Sequence, residues 1–201
     1  MIDEVRLDED HRPLAIAIMG PTASGKTACA VEWAQRLNTE IISVDSALVY
    51  KGLNIGSAKP DSETLKLAPH RMIDIREPHE IFSAADFAAE ALPHMHALSE
   101  QGKIPLLVGG TGLYFRALIQ GLSEMPAADA QVRAVLKAKA EAEGWSAMHM
   151  QLQSIDPISA DRIHPNDPQR ILRALEVYTV SGKSLTDWQA ETQLKPFPFR
   201  V

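Results

Sequence analysis

An apolar run, Leu14-Ala-Ile-Ala-Ile-Met19, ends directly in Gly20-Pro21-Thr22-Ala23-Ser24-Gly25-Lys26-Thr27, and that junction constrains the chain more than any other stretch. Continuous apolar residues closed by a glycine suit a strand buried on both faces. The following residues satisfy G-x-x-x-x-G-K-[ST], and Ala28, Val31, Ala34 and Leu37 recur behind them at near-helical spacing. Strand, glycine loop and helix in this order bring orphan backbone N–H groups and the positive end of a helix to one spot, an anion cradle. Lys26 is expected to reach the outer phosphates of a ligand, and the Thr27 hydroxyl to bind Mg²⁺. A tight turn beside a solvated lysine is the blander reading, and it leaves the flanking strand and helix without a purpose.

The rest of the chain alternates in the same way as far as Gly121. Ile41–Val44 reads as a second strand ending at Asp45, and Met72–Ile75 as a weaker one. Ser83-Ala-Ala-Asp86 is a capping box opening a helix through about Ser99, with Pro93 as an expected kink. Ile104–Val108 is a further strand closed by Gly109-Gly110, and a helix runs from Gly112 to Ile119. Strands alternating with helices predict an α/β fold, a parallel sheet with helices on both faces. Residues 128–193 show no convincing strand; Ala130–Ala142, Trp145–Gln153 and Pro168–Val180 predict a small all-helical domain. The expected layout is an acidic tail over 1–12, an α/β core over 13–121 and a helical insertion over 122–195. Residues 196–201 are expected to begin a return to the core whose remainder lies beyond Val201.

Composition removes several classes. Cys29 is the only cysteine of the 201 residues, so there is no intramolecular disulfide framework and no thiolate metal cluster. No apolar run approaches about 18 residues, so no membrane span is expected. The start of the chain has neither a basic stretch nor an apolar core of a secretory signal, and a reducing cytoplasm is the expected compartment. The net charge of −6 is concentrated at the start: residues 1–10 contribute −4, whereas residues 131–201 sum to +1. An RNA partner is therefore compatible with the acidity. Cys29 is expected to be packed, and Trp33, Trp145 and Trp188 to serve packing. His94 and His96 lack the i,i+4 spacing of a zinc site.

Asp45 sits where a parallel sheet presents groups to a ligand, at the C-terminal end of a strand. It could be a general base, a partner of a hydrated Mg²⁺ or the N-cap of the next turn. The 104–108 strand instead ends in Gly109-Gly110-Thr111, without an acid. A small-molecule or nucleoside kinase using ATP is the main alternative built on the same loop, and a regulatory nucleotide-binding module is a third.

Six ordered blocks carry a resemblance: the 20–27 loop, Ser43-Val-Asp-Ser-Ala-Leu-Val-Tyr-Lys-Gly52, Asn54-Ile-Gly-Ser-Ala-Lys-Pro60, Pro69-His-Arg71, Leu107-Val-Gly-Gly-Thr-Gly-Leu-Tyr114 and Arg162-Ile-His-Pro-Asn-Asp-Pro-Gln-Arg170. Together they resemble the tRNA dimethylallyltransferases from about Leu14 to Gly182. The resemblance implies a P-loop NTPase-like core with a helical insertion, acting as a monomer on two substrates, dimethylallyl diphosphate and a tRNA anticodon stem-loop. It implies transfer of the dimethylallyl group to N6 of the adenine just 3′ of the anticodon. The loop Gly20, Pro21, Thr22, Ala23, Ser24, Gly25, Lys26 and Thr27 would hold the diphosphate, with Mg²⁺ on Thr27. Asp45 would accept a hydrogen bond from N6 and take its proton. Asp45, Ser46, Ala47, Leu48 and Thr111 would touch the tRNA, as would Gln169, Arg170, Ile171, Leu172 and Arg173, and also Arg133. A salt-bridged surface helix, with Glu176 three residues beyond Arg173, is the alternative for the last group.

Overall fold

The computed structural model describes residues 11–123, 125–191 and 196–201. Most of the expected acidic tail lies outside the described residues. The chain forms two compact units, residues 1–121 with 195–201, and residues 122–194.

The first unit contains β1 (Ile16–Met19), α1 (Lys26–Arg36), β2 (Ile41–Val44), α2 (Ser62–Leu67), β3 (His70–Arg71), α3 (Ala84–Glu100), β4 (Leu106–Gly109) and α4 (Gly112–Ile119). The strands pair in parallel in the order β1-β4-β2-β3. Period-two alternation divides their side chains between two apolar layers. Ile16, Ile18, Ile41, Leu106 and Val108 face one way and pack with Ala30 and Ala34 of α1. Ala15, Ala17, Ile42, Val44 and Leu107 face the other way and pack with Phe87, Met95 and Phe115 of α3 and α4. Phe87 stacks on Tyr114 at 4.5 Å between ring centroids. The sheet is therefore covered by helices on both faces, as the alternation predicts.

β2 and β4 are fully buried, but β1 is only half-buried and Met19 is 57% exposed. The apolar run at 14–19 is thus an edge strand among the described residues, not one buried on both faces. Its start is bridged by the C-terminal segment, where Leu14 pairs in parallel with Arg200. Phe197 and Phe199 are buried in the core beside α3 and α4.

The weak strand expected at 72–75 is absent. β3 stops at Arg71 because Met72 (φ 65°) and Asp74 (φ 55°) adopt left-handed conformations that end extended pairing. The segment turns instead to residues 48–50, with Ile75 N donating to the Val49 carbonyl. The capping box at Ser83 and Asp86 forms, and Pro93 lies inside α3.

The second unit contains α5 (Ala130–Glu143), α6 (Trp145–Ile155), α7 (Pro157–Arg162), α8 (Pro168–Ser181) and α9 (Leu185–Glu191), with no strand among its described residues. Asp129, Asp156 and Asp167 cap α5, α7 and α8 through their side chains. Leu136, Met148, Leu152, Ile171 and Leu175 fill a separate core, which Trp145 flanks.

Candidate active site

The phosphate-loop motif forms the turn expected of it. Gly25 lies in the left-handed region at φ 81°, which glycine adopts without a Cβ penalty, and it starts α1 with no side-chain cap. Ala23 is also left-handed, at φ 65°. The first-turn N–H groups of α1 consequently have no acidic neighbour or side-chain partner, the arrangement that attracts an anion. Lys26 Nζ folds back to donate to the Pro21 carbonyl and lies 3.5 Å from Ser24 Oγ. No carboxylate pairs with Lys26 among the described residues, which leaves one uncompensated cation at the loop.

Gly109 explains how the loop comes so near the sheet. A Cβ there would lie 2.0 Å from the Val44 carbonyl oxygen, so β2 and β4 tolerate only glycine at this register. Gly20 is joined to the same place by its N–H to the Gly109 carbonyl at 3.4 Å. Gly109, which ends β4, and Gly110 after it therefore serve close backbone approach.

A cleft of about 350 Å³ opens beside the loop. Thr22, Ala23, Ser24, Gly25, Lys26 and Thr27 line one side, and Ile41, Ser43, Val108 and Gly109 come from the sheet. Asp45 and Leu48 follow from the end of β2, while Ser57, Ala58, Pro60 and His70 close the remainder. Its volume suits a small ligand, with cationic and hydroxyl groups at one part and Ile41, Leu48, Ala58, Pro60 and Val108 as apolar surface. Gly20 and Pro21 lie outside this lining and shape the loop instead.

Of the three roles open to Asp45, the structure shows the cap. Its Oδ1 accepts from the Ala47 and Leu48 amides at 2.8 and 3.4 Å, capping the turn after β2. Its Oδ2 makes no hydrogen bond among the described residues, and the side chain lines the cleft. One oxygen is thereby fixed while the other is left without a partner among the described residues. Thr111 joins this corner: its Oγ1 accepts from Ser46 N at 3.0 Å, and its amide donates to the Val44 carbonyl at 3.2 Å. Tyr114 is buried nearby, and burial first, then Tyr50, Asp45 and Asp86, pushes its phenol up to about 12, so it stays neutral.

His70 and the 54–60 loop lie in the blocks that carry the family resemblance but have no role legible in the sequence. His70 Nδ1 lies 2.8 Å from the Ala68 carbonyl, and burial holds the imidazole below its ordinary value despite that bond. A neutral ring donating through Nδ1 leaves Nε2 as an acceptor. Lys59 braces the loop: its nearly buried side chain donates to the Tyr50 carbonyl at 2.8 Å and pairs with Asp74 at 2.6 Å. The sequence signal for a strut was only a lysine inside the 54–60 block, which alone reads as solvated.

Residues expected to contact RNA from the helical part all belong to the second unit. Gln169 is exposed, and Arg170 is exposed with an ion pair to Asp167 at 3.4 Å. Ile171 and Leu172 are core residues at 0% and 8% exposure, so their side chains cannot reach RNA. Arg133 and Arg173 both bond Glu176, which is wholly buried. The salt-bridged alternative thus describes this helix well. Cys29 is exposed rather than packed, and Trp33 is 44% exposed, because the outer face of α1 bears no covering element among the described residues. Trp188 donates to Ser181 Oγ and lies under Lys183 Nζ. Among the described residues, no group of three or more His, Cys, Asp or Glu could hold a metal ion, and no helix is long and apolar enough to cross a membrane.

The family model for IPP transferase matches residues 48–201. The chain is 44% identical to a tRNA isopentenylpyrophosphate transferase from Bacillus halodurans (TM-score 0.55), covering 86% of this chain and 57% of that one. It is 38% identical to the tRNA delta(2)-isopentenylpyrophosphate transferase of Staphylococcus epidermidis (TM-score 0.53), over 92% of this chain and 62% of that one. A eukaryotic dimethylallyltransferase acting on tRNA is 27% identical with TM-score 0.72, over 92% of this chain and 46% of that one. The chain therefore spans about half to three-fifths of these relatives. A strand–glycine-loop–helix junction beside a cleft, an acid at the end of the next strand and a matching family model over three-quarters of its length lead to one conclusion: the chain belongs to the IPP transferase family.

Proposed function

We propose that the protein transfers a dimethylallyl group from dimethylallyl diphosphate to N6 of the adenine 3′ of the anticodon in tRNA. The observation that carries this reading is the cleft itself: a cation without a carboxylate partner and bare helix N–H groups beside apolar walls, with Asp45 at its edge. A diphosphate joined to a short branched hydrocarbon has that same division of character. The C1–O bond to diphosphate breaks, the C1–N6 bond forms, and Asp45 takes the N6 proton. Lys26 and the loop amides neutralise the leaving charge. Stacked in an anticodon loop the adenine is out of reach, so it must flip out to enter the cleft.

Mg²⁺ fits the donor set as a mostly hydrated ion held by the Thr27 hydroxyl and diphosphate oxygens, since Mg²⁺ keeps several waters and needs few protein ligands. When bound, it would add positive charge against the departing diphosphate. Thr111 and the Asp45–Leu48 turn are the proposed acceptor contacts in the first unit, and Arg133, Gln169, Arg170 and Arg173 those in the second. A cytoplasmic monomer suits this work.

Calorimetric titration with dimethylallyl diphosphate and with ATP, each with Mg²⁺, tests the reading. Binding of the prenyl diphosphate, lost in Lys26→Ala and undisturbed by ATP, is expected. ATP binding with phosphoryl transfer, and no response to the prenyl diphosphate, would overturn it in favour of a kinase.

A further inference from the structure

Glu176 has no place in the transfer chemistry, yet it accepts four hydrogen bonds, the most of any carboxylate among the described residues of the second unit. It is wholly buried in α8. Its Oε1 accepts from the Asp129 amide and from Arg133 Nε, both at 2.8 Å. Its Oε2 accepts from Arg133 Nη2 and Arg173 Nη1, both at 3.1 Å. Arg173 Nη2 also donates to the Pro126 carbonyl at 2.8 Å. One buried acid therefore joins α5, α8 and the segment leading into α5. Burial pushes its carboxyl up, but the bonds from Arg133, Asp129 and Arg173 outweigh this and hold it below the usual range.

The arginines are not consumed by this. Each guanidinium uses two of its five N–H groups. Their side chains remain 42% and 32% exposed. Two cations against one carboxylate leave a net positive charge at the surface, with its forks locked in orientation. A planar fork held rigid suits a phosphate oxygen pair, and the ordering of two long side chains has been completed before binding.

We propose that Glu176 is a positioning residue for tRNA: it presents the Arg133 and Arg173 forks to backbone phosphates of the RNA. This rests on the function proposed above. It makes an unusual demand on sign. If the arginines served as point charges alone, Glu176→Gln would strengthen RNA binding, because it removes a negative charge from the patch. If orientation matters, the same change weakens binding although the patch becomes more positive.

The test measures transfer kinetics and the salt dependence of stem-loop binding in the intact protein for Glu176→Gln and for Arg133→Lys, which keeps its charge but loses the fork. For both, the KM for the stem-loop is expected to rise on the order of 10-fold, with kcat and the donor KM unchanged. The salt slope of log K is expected to fall by about 1, one phosphate contact. A purely structural role lowers the active fraction, and so kcat, without moving the RNA KM. That result, or tighter binding by Glu176→Gln, overturns the inference. Should Glu176→Gln not fold, Arg133→Lys decides: binding equal to wild type overturns it. Failure of the wild-type protein to bind the stem-loop sinks the proposed function and this inference with it, whereas wild-type binding left intact by both variants sinks the inference alone.

Discussion

The cleft corner of the α/β unit and the helical unit treat charge in opposite ways, although the rest of the α/β unit is ion-paired and capped as well. At the cleft, Lys26 has no carboxylate partner among the described residues, α1 starts without a side-chain cap and Asp45 keeps one oxygen without a hydrogen bond. In the helical unit, side chains cap α5, α7 and α8, and Arg133, Arg170 and Arg173 are each ion-paired. Groups left unsatisfied are available to a substrate and contribute little to folding. Groups satisfied internally stabilise the fold, and they serve a ligand only through donors left over. Substitutions in the first set should therefore cost activity without stability, and those in the second should cost both.

The largest effect is expected at Asp45. Asp45→Asn keeps the carbonyl oxygen that caps the 46–48 turn but removes the proposed base, so single-turnover transfer should fall about 10²–10⁴-fold. The melting temperature should barely change. Lys26→Ala should lower transfer by about 10²–10³-fold, the usual cost of one donor aimed at developing charge. Its stability should stay within about 0.5 kcal/mol of wild type in a denaturant titration. A large loss of stability in either variant would break the contrast between the cleft and the helical unit.

Gly109→Ala belongs to the α/β unit yet acts on folding. Its Cβ would meet the Val44 backbone, and a shift of the central strands should cost about 3 kcal/mol, read from the same titrations. Glycine is required there by contact, not by conformation, so the effect should persist whatever ligand is present.

The smallest effect is on acid stability. Asp156 and Glu176 are held below their ordinary range, each by hydrogen bonds that outweigh the opposing effect of burial. Their folded-state affinity for protons is lower than in the unfolded chain. The stability they contribute is present above the ordinary carboxylate range and is lost as pH falls through their lowered values. Melting temperature followed from pH 7 downward should thus fall less steeply in Glu176→Gln than in wild type, from a lower starting value.

Much of the α/β unit was legible because local chemistry repeats its message. The glycine loop, the Ser83 capping box and the apolar strands each name an element by composition, and the glycine pair at the end of β4 marks a crowded place. The expectation failed where tertiary contacts decide. Met72-Ile-Asp-Ile75 is apolar enough for a strand, but two left-handed residues redirect it toward Val49. Trp33 and Leu14–Met19 read as interior by hydrophobicity, while one lies on an exposed helix face and the other on a sheet edge. Glu176 was visible as an i+3 partner of Arg173, but its bond to Arg133, 43 residues away, requires the packed unit. His70 lines the cleft because β3 pairs with β2, which no local pattern specifies.

One measurement tests the proposed transfer most directly. An anticodon stem-loop with adenine next to the anticodon is incubated with the intact protein, Mg²⁺ and dimethylallyl diphosphate, and its mass is determined beside an Asp45→Asn sample. A gain of one five-carbon unit on that adenine with wild type, and none at the same time with Asp45→Asn, is the expected result. An unchanged RNA mass with a protein that binds both substrates, or an equal gain in both samples, would contradict the roles assigned to the cleft and to Asp45.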